Sequence, residues 1–454
     1  MPFISRNPAT DQVIQSYPGW DVDHLELALE KAHSAQQLWA QTPFSLRAEI
    51  LRNVATRLRA QLEQYAALIT LEMGKPLREA RAEVEKCAGA CDFYAQHAED
   101  FLRSEPMESD AGRSYVAHYP LGVVLAVMPW NFPFWQVFRA AAPALMAGNA
   151  VALKHAPNVP QCALAIAAIF RDSSLAEGLF TNLMIEVEHV AGVIASPHIH
   201  AVTLTGSEAA GRKVAACAGQ HLKKCVLELG GSDPFIVLHD ADLDLAVEMA
   251  VTSRYLNCGQ SCIAAKRFIL VPQIADEFLL RLKTKVEALK LGDPMDEATQ
   301  IGPMARPDLR DNLHRQITES IAQGAIAVTG CKPVEREGFF YQPSILDHVT
   351  TKACAYHEEL FGPVAIVIRA TSEEDALNIA NETRFGLGSA IWSNDVARAE
   401  QLATHVQAGC SFINGMVKSD PRLPFGGIKA SGFGRELSRQ GMLEFVNIKT
   451  VWIR

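Results

Sequence analysis

Leu121-Gly122-Val123-Val124-Leu125-Ala126-Val127-Met128-Pro129-Trp130-Asn131-Phe132-Pro133 is the stretch whose reading decides the fold. The apolar run 121–128 reads as a strand buried on both faces. The prolines after it stop the strand and leave the Asn131 amide just past its end. From here onward short apolar strands alternate with helices. Strands are expected at 121–128, 150–154, 201–205 and 225–229. Helices are expected at 135–147 (ended by Gly148), 159–171 and 208–218. Continuous apolar strands between helices predict a parallel sheet covered on both faces. That is an α/β, Rossmann-like layout, in which ligands bind beyond the carboxyl ends of the strands.

Upstream, Asp23 with Glu26 three residues on reads as a helix start, and Leu25, Ala28, Leu29 and Ala32 share one face. A longer helix follows, with Leu51, Val54, Leu58, Leu62, Tyr65 and Ile69 at three- and four-residue spacing and stop signals at Gly74 and Pro76. Downstream, a second α/β region runs from about 232 to 436, with strands expected at 267–271, 365–368 and 389–392. The chain closes on a strand-like tail, 445–453, whose edge is a liability unless another element or subunit covers it. A length of 454 residues predicts two or more domains. No repeat, low-complexity tract or long linker interrupts it.

Composition narrows the function. A net charge of −9 argues against a broad nucleic-acid surface or an anionic membrane surface. No window is long and apolar enough to span a bilayer, and the N-terminus lacks the pattern of a secretory signal. Ten scattered cysteines without a Cys-x-x-Cys pair fit free thiols in a reducing cytoplasm, and the spacings of a structural zinc site are missing, so no metal is expected.

Chemistry concentrates in three fragments. Cys262 ends Asn257-Cys258-Gly259-Gln260-Ser261-Cys262, and Glu228 opens the glycine-rich turn Glu228-Leu229-Gly230-Gly231. With Asn131 they offer a thiol, a carboxylate and an amide, the parts needed to oxidise an aldehyde through a thioester. An ordinary thiol titrates near ~8.5, so a nearby base or helix N-terminus would raise its thiolate fraction. The bland alternatives are a buried inert cysteine, an ion-paired glutamate and a turn-capping asparagine.

Six pieces in order carry a resemblance: Pro129-Trp130-Asn131-Phe132-Pro133, Thr205-Gly206-Ser207, Glu228-Leu229-Gly230-Gly231, Gly259-Gln260-Ser261-Cys262, Glu358-Glu359-Leu360-Phe361-Gly362-Pro363 and Pro424-Phe425-Gly426-Gly427. Along almost its full length the chain resembles the NAD(P)-dependent aldehyde dehydrogenases, most of all bacterial succinate-semialdehyde dehydrogenases of the Sad/YneI type. The resemblance implies an aldehyde dehydrogenase-like fold. A coenzyme-binding domain would take 1–100 and 120–230, a catalytic domain 231–436, and a small oligomerisation arm 101–119 and 437–454. It implies Cys262 as nucleophile, Asn131 with the Cys262 backbone N–H as oxyanion donors, and Glu228 as the base that activates the deacylating water.

For the coenzyme, no Gly-x-Gly-x-x-Gly lies at a strand-to-helix turn. Instead Gly206 and Ser207 lead into a helix that includes Gly211, whose N-terminal N–H groups suit a pyrophosphate. By resemblance Ser207 contacts that phosphate, Lys154 the adenine ribose and Glu359 the nicotinamide ribose, with Phe361 and Trp130 beside the ring. Lys154 as a surface lysine and Phe361 as a core aromatic remain open. Pro157 stands where many NAD-selective relatives carry a glutamate. It has neither a charge to repel a 2′-phosphate nor an acceptor for ribose hydroxyls. NAD is expected, with NADP tolerated.

A semialdehyde acid needs a cation for its distal carboxylate. Arg139, eight residues after Asn131, occupies a position where the resembling enzymes carry arginine, and a planar guanidinium suits a carboxylate. A second arginine common in such enzymes falls at Leu256 here, so Arg422 is the candidate to replace it from the opposite wall. A structural role for either arginine is the alternative. Cys258 raises a further expectation, a disulfide with Cys262 that blocks the nucleophile. The expected reaction is succinate semialdehyde to succinate with NAD(P)⁺ and water. The alternatives are a broad medium-chain or aromatic aldehyde dehydrogenase, a coenzyme-free thioesterase, and a non-catalytic protein on the same fold. A homodimer or homotetramer is expected, with a small-molecule aldehyde as partner.

Overall fold

The computed structural model describes residues 2–454. A six-stranded sheet is built around the opening stretch. Its order is Gly432–Phe433, Lys224–Glu228, Ile199–Thr205, Val123–Met128, Ala150–His155 and Phe180–Asn182, with every pairing parallel except the Gly432–Phe433 edge. Ala150–His155 is buried along its whole length and Val123–Met128 nearly so, as a sheet covered on both faces requires. A seven-stranded sheet follows, in the order Ile326–Thr329, Ser344–Asp347, Val364–Arg369, Ala265–Leu270, Asp233–Val237, Gly388–Trp392 and Cys410–Ile413. Only its Ile326–Thr329 edge pairs antiparallel. The large hydrophobic clusters follow this division, one from Leu25 to Leu229 with a few later residues, the other from Phe235 to Val406. The α/β, parallel-sheet expectation therefore holds.

Three helical expectations need correction. The first helix, Val22–Trp39, is capped by Asp21, whose Oδ1 accepts the His24 amide at 2.8 Å, not by Asp23. The run 51–69 is two helices, Phe44–Ala60 and Leu62–Met73, because Gln61 leaves helical geometry at φ −117°. Beyond the Gly74-Lys75-Pro76 stop a new helix, Leu77–Phe101, runs for 25 residues. Its alanine- and glutamate-rich sequence favours helix, and Leu77, Ala80, Val84, Cys87, Cys91, Tyr94 and Ala98 line its buried face. The tail strand Val446–Ile453 pairs antiparallel with Arg113–Pro120 in a three-stranded sheet. It forms the outer edge there, and Ile448, Trp452 and Ile453 are exposed.

Candidate active site

Residues 129–135 are held from three directions. Glu83, on the helix Leu77–Phe101, accepts the amides of Phe134 and Trp135 at 2.9 Å each and so satisfies the start of the helix Trp135–Met146. Its other oxygen pairs with the buried Lys75. His155 lies at the end of its strand with Nε2 2.8 Å from the Pro133 carbonyl, and its Nδ1 accepts the Ala156 amide at 2.8 Å. Burial lowers that imidazole to about 4, so the ring is neutral and Nε2 donates. From the third side, Asn257 Nδ2 donates to the Asn131 carbonyl at 2.7 Å.

The nucleophile segment leaves the helix Leu243–Tyr255 through a tight turn in which Asn257, Cys258 and Gly259 all have positive φ (54°, 54° and 69°). Such a run is costly for a non-glycine residue unless the surroundings fix it. Glu79 Oε2 accepts the Asn257 amide at 2.6 Å, and Gln260 Oε1 accepts the Ala305 amide at 2.9 Å. At Gly259 an added Cβ would stand 2.2 Å from the Gly362 carbonyl oxygen, so only glycine permits that approach. Arg254, fully buried, joins this turn to residues 360–364: Nη1 donates to Gly259 O at 3.4 Å, Nε to Val364 O at 2.6 Å and Nη2 to Leu360 O at 2.9 Å. Lys266 Nζ donates to Ser261 O and Cys262 O, each at 2.8 Å, and lies 3.3 Å from Glu359 Oε1.

Cys262 opens into a cavity of about 340 Å³. Phe132, Trp135, Gln136, Arg139, Leu256 and Phe425 form much of its wall, and Arg78, Glu79, Glu83, Lys86, Lys418 and Ser419 supply its polar groups. Burial, the largest influence, pushes the Cys262 thiol up to about 12. Arg139 and Lys266 pull it down, and Glu359 and Glu228 push it up. Asn131 Nδ2 donates to Gln260 O at 3.1 Å, which brings the amide against the nucleophile loop, and its Oδ1 has no partner. Glu228 ends the strand Lys224–Glu228, is 2% exposed, and neither of its oxygens completes a hydrogen bond of normal geometry. Burial holds its carboxyl well above the ordinary range. Arg139, Arg435 and the Gly427 amide oppose that shift, and Glu436 adds to it.

The two expected substrate arginines separate. Arg139 lines the cavity, but it is 2% exposed and already committed. It forms an ion pair with the buried Glu436, donates to Thr205 Oγ1 at 3.2 Å and stacks 5.2 Å from the Phe425 ring centre. Arg422 does not reach the cavity. Asp420, two residues earlier, captures its guanidinium through two bonds of 2.8 and 2.6 Å, and the side chain stays 73% exposed. The expectation of Arg422 in the opposite wall is corrected accordingly. The cation that the sequence reading missed is Lys86. Its Nζ donates to Ser419 Oγ at 2.7 Å and sits 4.2 Å over the Trp135 ring, and it forms no ion pair among the described residues. Burial lowers it to about 8, with Arg139 adding to the fall. A signal existed: Glu79, Glu83 and Lys86 recur at four- and three-residue spacing, a charged stripe on one helix face.

A second cavity, of about 660 Å³, brings Ser207, Gly230, Glu359 and Phe385 together. Ser207 caps the helix Glu208–Gln220 by accepting the Ala210 amide at 3.3 Å. Gly211 packs so closely on Leu229 that a Cβ would stand 2.6 Å from a leucine methyl, which seats this helix against the strand end. At Gly230 a Cβ would be 2.4 Å from Glu359 Oε2, so the glycine keeps the carboxylate's space open. Trp130 and Phe361 meet edge to face, 5.8 Å between centres. Lys154 is 4% exposed at the end of its strand and bonds the His155 carbonyl at 3.1 Å, so it is not a surface lysine. Cys258 is buried, its Sγ donates to Gly302 O at 3.2 Å, and burial raises its thiol. It is absent from the cavity wall that holds Cys262.

Residues 2–451 match the aldehyde dehydrogenase family, and the chain belongs to it. It is 50% identical over 453 residues, covering 100% of both chains, to a probable succinate-semialdehyde dehydrogenase [NADP(+)] of Synechocystis. It is 49% identical, covering 99% of this chain and 97% of the relative, to succinate semialdehyde dehydrogenase [NAD(P)+] Sad of Escherichia coli. Among solved structures, succinic semialdehyde dehydrogenase from Streptococcus pyogenes in complex with NADP+ superposes with a TM-score of 0.98 at 38% identity, covering 99% of each chain.

Proposed function

We propose that this enzyme oxidises succinate semialdehyde, or a similar short semialdehyde acid, to the carboxylic acid with NAD(P)⁺. The observation that carries the reading is the cavity at Cys262. In a chain of net charge −9, its wall holds Arg78, Lys86 and Lys418, together with Arg139 paired to Glu436, against only Glu79 and Glu83. Glu83 is already neutralised by Lys75, and burial raises Glu79 to about 7. An anionic group is therefore favoured in this cavity. Lys86, with a neutral hydroxyl and an aromatic face as its partners, replaces Arg422 in the proposal as the second contact for the distal carboxylate.

The Cys262 thiolate attacks the aldehyde carbon, and a tetrahedral thiohemiacetal forms on sulfur. The alkoxide is held by the Cys262 backbone N–H and by the second N–H of Asn131 Nδ2, whose first is spent on Gln260 O. Bound NAD(P)⁺ supplies the hydride acceptor. Ser207, Gly206 and the start of the Gly211-containing helix would hold its pyrophosphate, Lys154 the adenine ribose and Glu359 the other ribose, with Trp130 and Phe361 beside the ring. Glu228, ionised as water enters beside it, takes a proton from that water as it attacks the thioester, which releases the acid and frees the thiol. Pro157 and the coenzymes of the Synechocystis and Escherichia coli relatives support NADP⁺ as well as NAD⁺.

The reading assigns coenzyme binding to 1–100 and 120–230, catalysis to 231–436, and assembly of a cytoplasmic homodimer or homotetramer to 101–119 and 437–454. The exposed edge strand Val446–Ile453 supports that last role. The test is an aldehyde panel run separately with NAD⁺ and NADP⁺. Succinate semialdehyde is expected to exceed hexanal in kcat/KM, and Arg139→Ala to reduce that preference. A preference for hexanal that survives Arg139→Ala defeats the semialdehyde assignment.

A further inference from the structure

Lys266, near the start of the strand Ala265–Leu270, has no part in the chemistry above, yet its placement ties it to the nucleophile. It is 1% exposed, donates to Ser261 O and Cys262 O, and forms an ion pair with Glu359 Oε1. Two of those acceptors belong to the peptide units that carry the thiol. A buried ammonium is costly unless it is fully paired, and here the pairing is with two neutral carbonyls and one carboxylate. That carboxylate is itself 22% exposed and faces the second cavity. The charged groups around Cys262 are Arg139, Lys266, Glu359 and Glu228, and those around Lys266 are Glu359, Asp233 and Arg254. Arg139 is largely cancelled by its ion pair with Glu436. Lys266 holds only a 3.3 Å contact to its counter-ion.

We propose that Lys266 is a positioning residue for Cys262: it clamps the carbonyls that carry the thiol and supplies a fixed positive charge to the thiolate, with Glu359 as the counter-charge that sets how much of it the sulfur feels. The inference rests on Cys262 as the nucleophile. A positive charge held on the peptide units that carry a thiol favours its ionisation, and ~1 pH unit is ~10-fold in thiolate at neutral pH.

The experiment measures the rate of iodoacetamide alkylation at Cys262 from pH 6.5 to 9, read by mass spectrometry of the peptide that contains it, in the full-length enzyme. Lys266→Met and Lys266→Gln are expected to slow alkylation ~10-fold across this range. Lys266→Arg, which keeps the charge, is expected to restore most of the rate, and Glu359→Gln to accelerate it. The glutamine variant retains donors for the two carbonyls, so it serves if Lys266→Met does not fold by circular dichroism. Folded neutral variants that alkylate at the wild-type rate, or a Lys266→Arg variant as slow as Lys266→Met, overturn the proposal. A merely structural clamp gives no rescue by charge and no acceleration in Glu359→Gln. The parent reading fails separately, if Cys262→Ser still oxidises the aldehyde.

Discussion

The loop behind the sulfur and the groups in front of it obey opposite rules. Behind it, most polar capacity is spent: Arg254 donates to Val364 O, Leu360 O and Gly259 O, Lys266 has two hydrogen bonds and an ion pair, Gln260 is bonded through both its nitrogen and its oxygen, and Asn257 Oδ1 alone in that loop is left over. In front, capacity is left over. Both oxygens of Glu228 and Oδ1 of Asn131 are buried without partners, and Lys86 has donors left beyond its single bond to Ser419. Buried polar groups are normally satisfied, so an unpaired one marks strain or a missing reactant. The saturated wall fixes the sulfur, and the unsaturated one awaits aldehyde and water.

The harshest challenge to this contrast is Glu228→Gln. The amide keeps the size and removes the base, so acylation is expected to survive while deacylation slows by ~10²–10⁴-fold. Stopped-flow absorbance should show a burst of reduced coenzyme followed by slow turnover. Loss of burst and steady state together would place Glu228 before hydride transfer. A smaller effect is expected from Lys86→Met. A charge-assisted contact is worth roughly 1.5–3 kcal/mol, or about 10–100-fold. The loss should appear in kcat/KM for succinate semialdehyde and not for hexanal. An equal loss on both aldehydes would make Lys86 a packing residue.

What was legible in the sequence follows the same division. The parallel strands announced themselves because a strand covered on both faces reads as a continuous apolar run, as residues 150–153 and Val123–Met128 do. Glu228 and Asn131 were legible because each sits at or just past the end of such a strand in a glycine- or proline-marked turn, and Cys262 because Gly259-Gln260-Ser261 marks the loop before the strand Ala265–Leu270. Lys86 and Lys266 were not, since their meaning comes from partners far along the chain: Ser419 for one, Glu359 for the other. The helix Leu77–Phe101 escaped notice because Pro76 was read as the end of one helix and not as the residue before the next. Arg422 misled for a local reason that the sequence did contain, an aspartate two residues away.

The smallest effect separates Lys86 from Arg139 in the substrate wall. Lys86 is lowered to about 8, chiefly by burial and then by Arg139, while Cys87, Glu83 and Asp420 oppose the shift. Its ammonium is therefore charged below pH 8 and lost above it. The succinate semialdehyde carboxylate also stays ionised over this range. Ionisation of Cys262 and Glu228 affects every aldehyde alike, so it cancels in the ratio of kcat/KM for succinate semialdehyde to that for hexanal. If Lys86 helps to bind the carboxylate, that ratio falls severalfold between pH 7 and 9.5, and Lys86→Met flattens it. A ratio that is already flat in the wild type means Arg139 meets the carboxylate alone, and its bond to Glu436 must then loosen when substrate arrives.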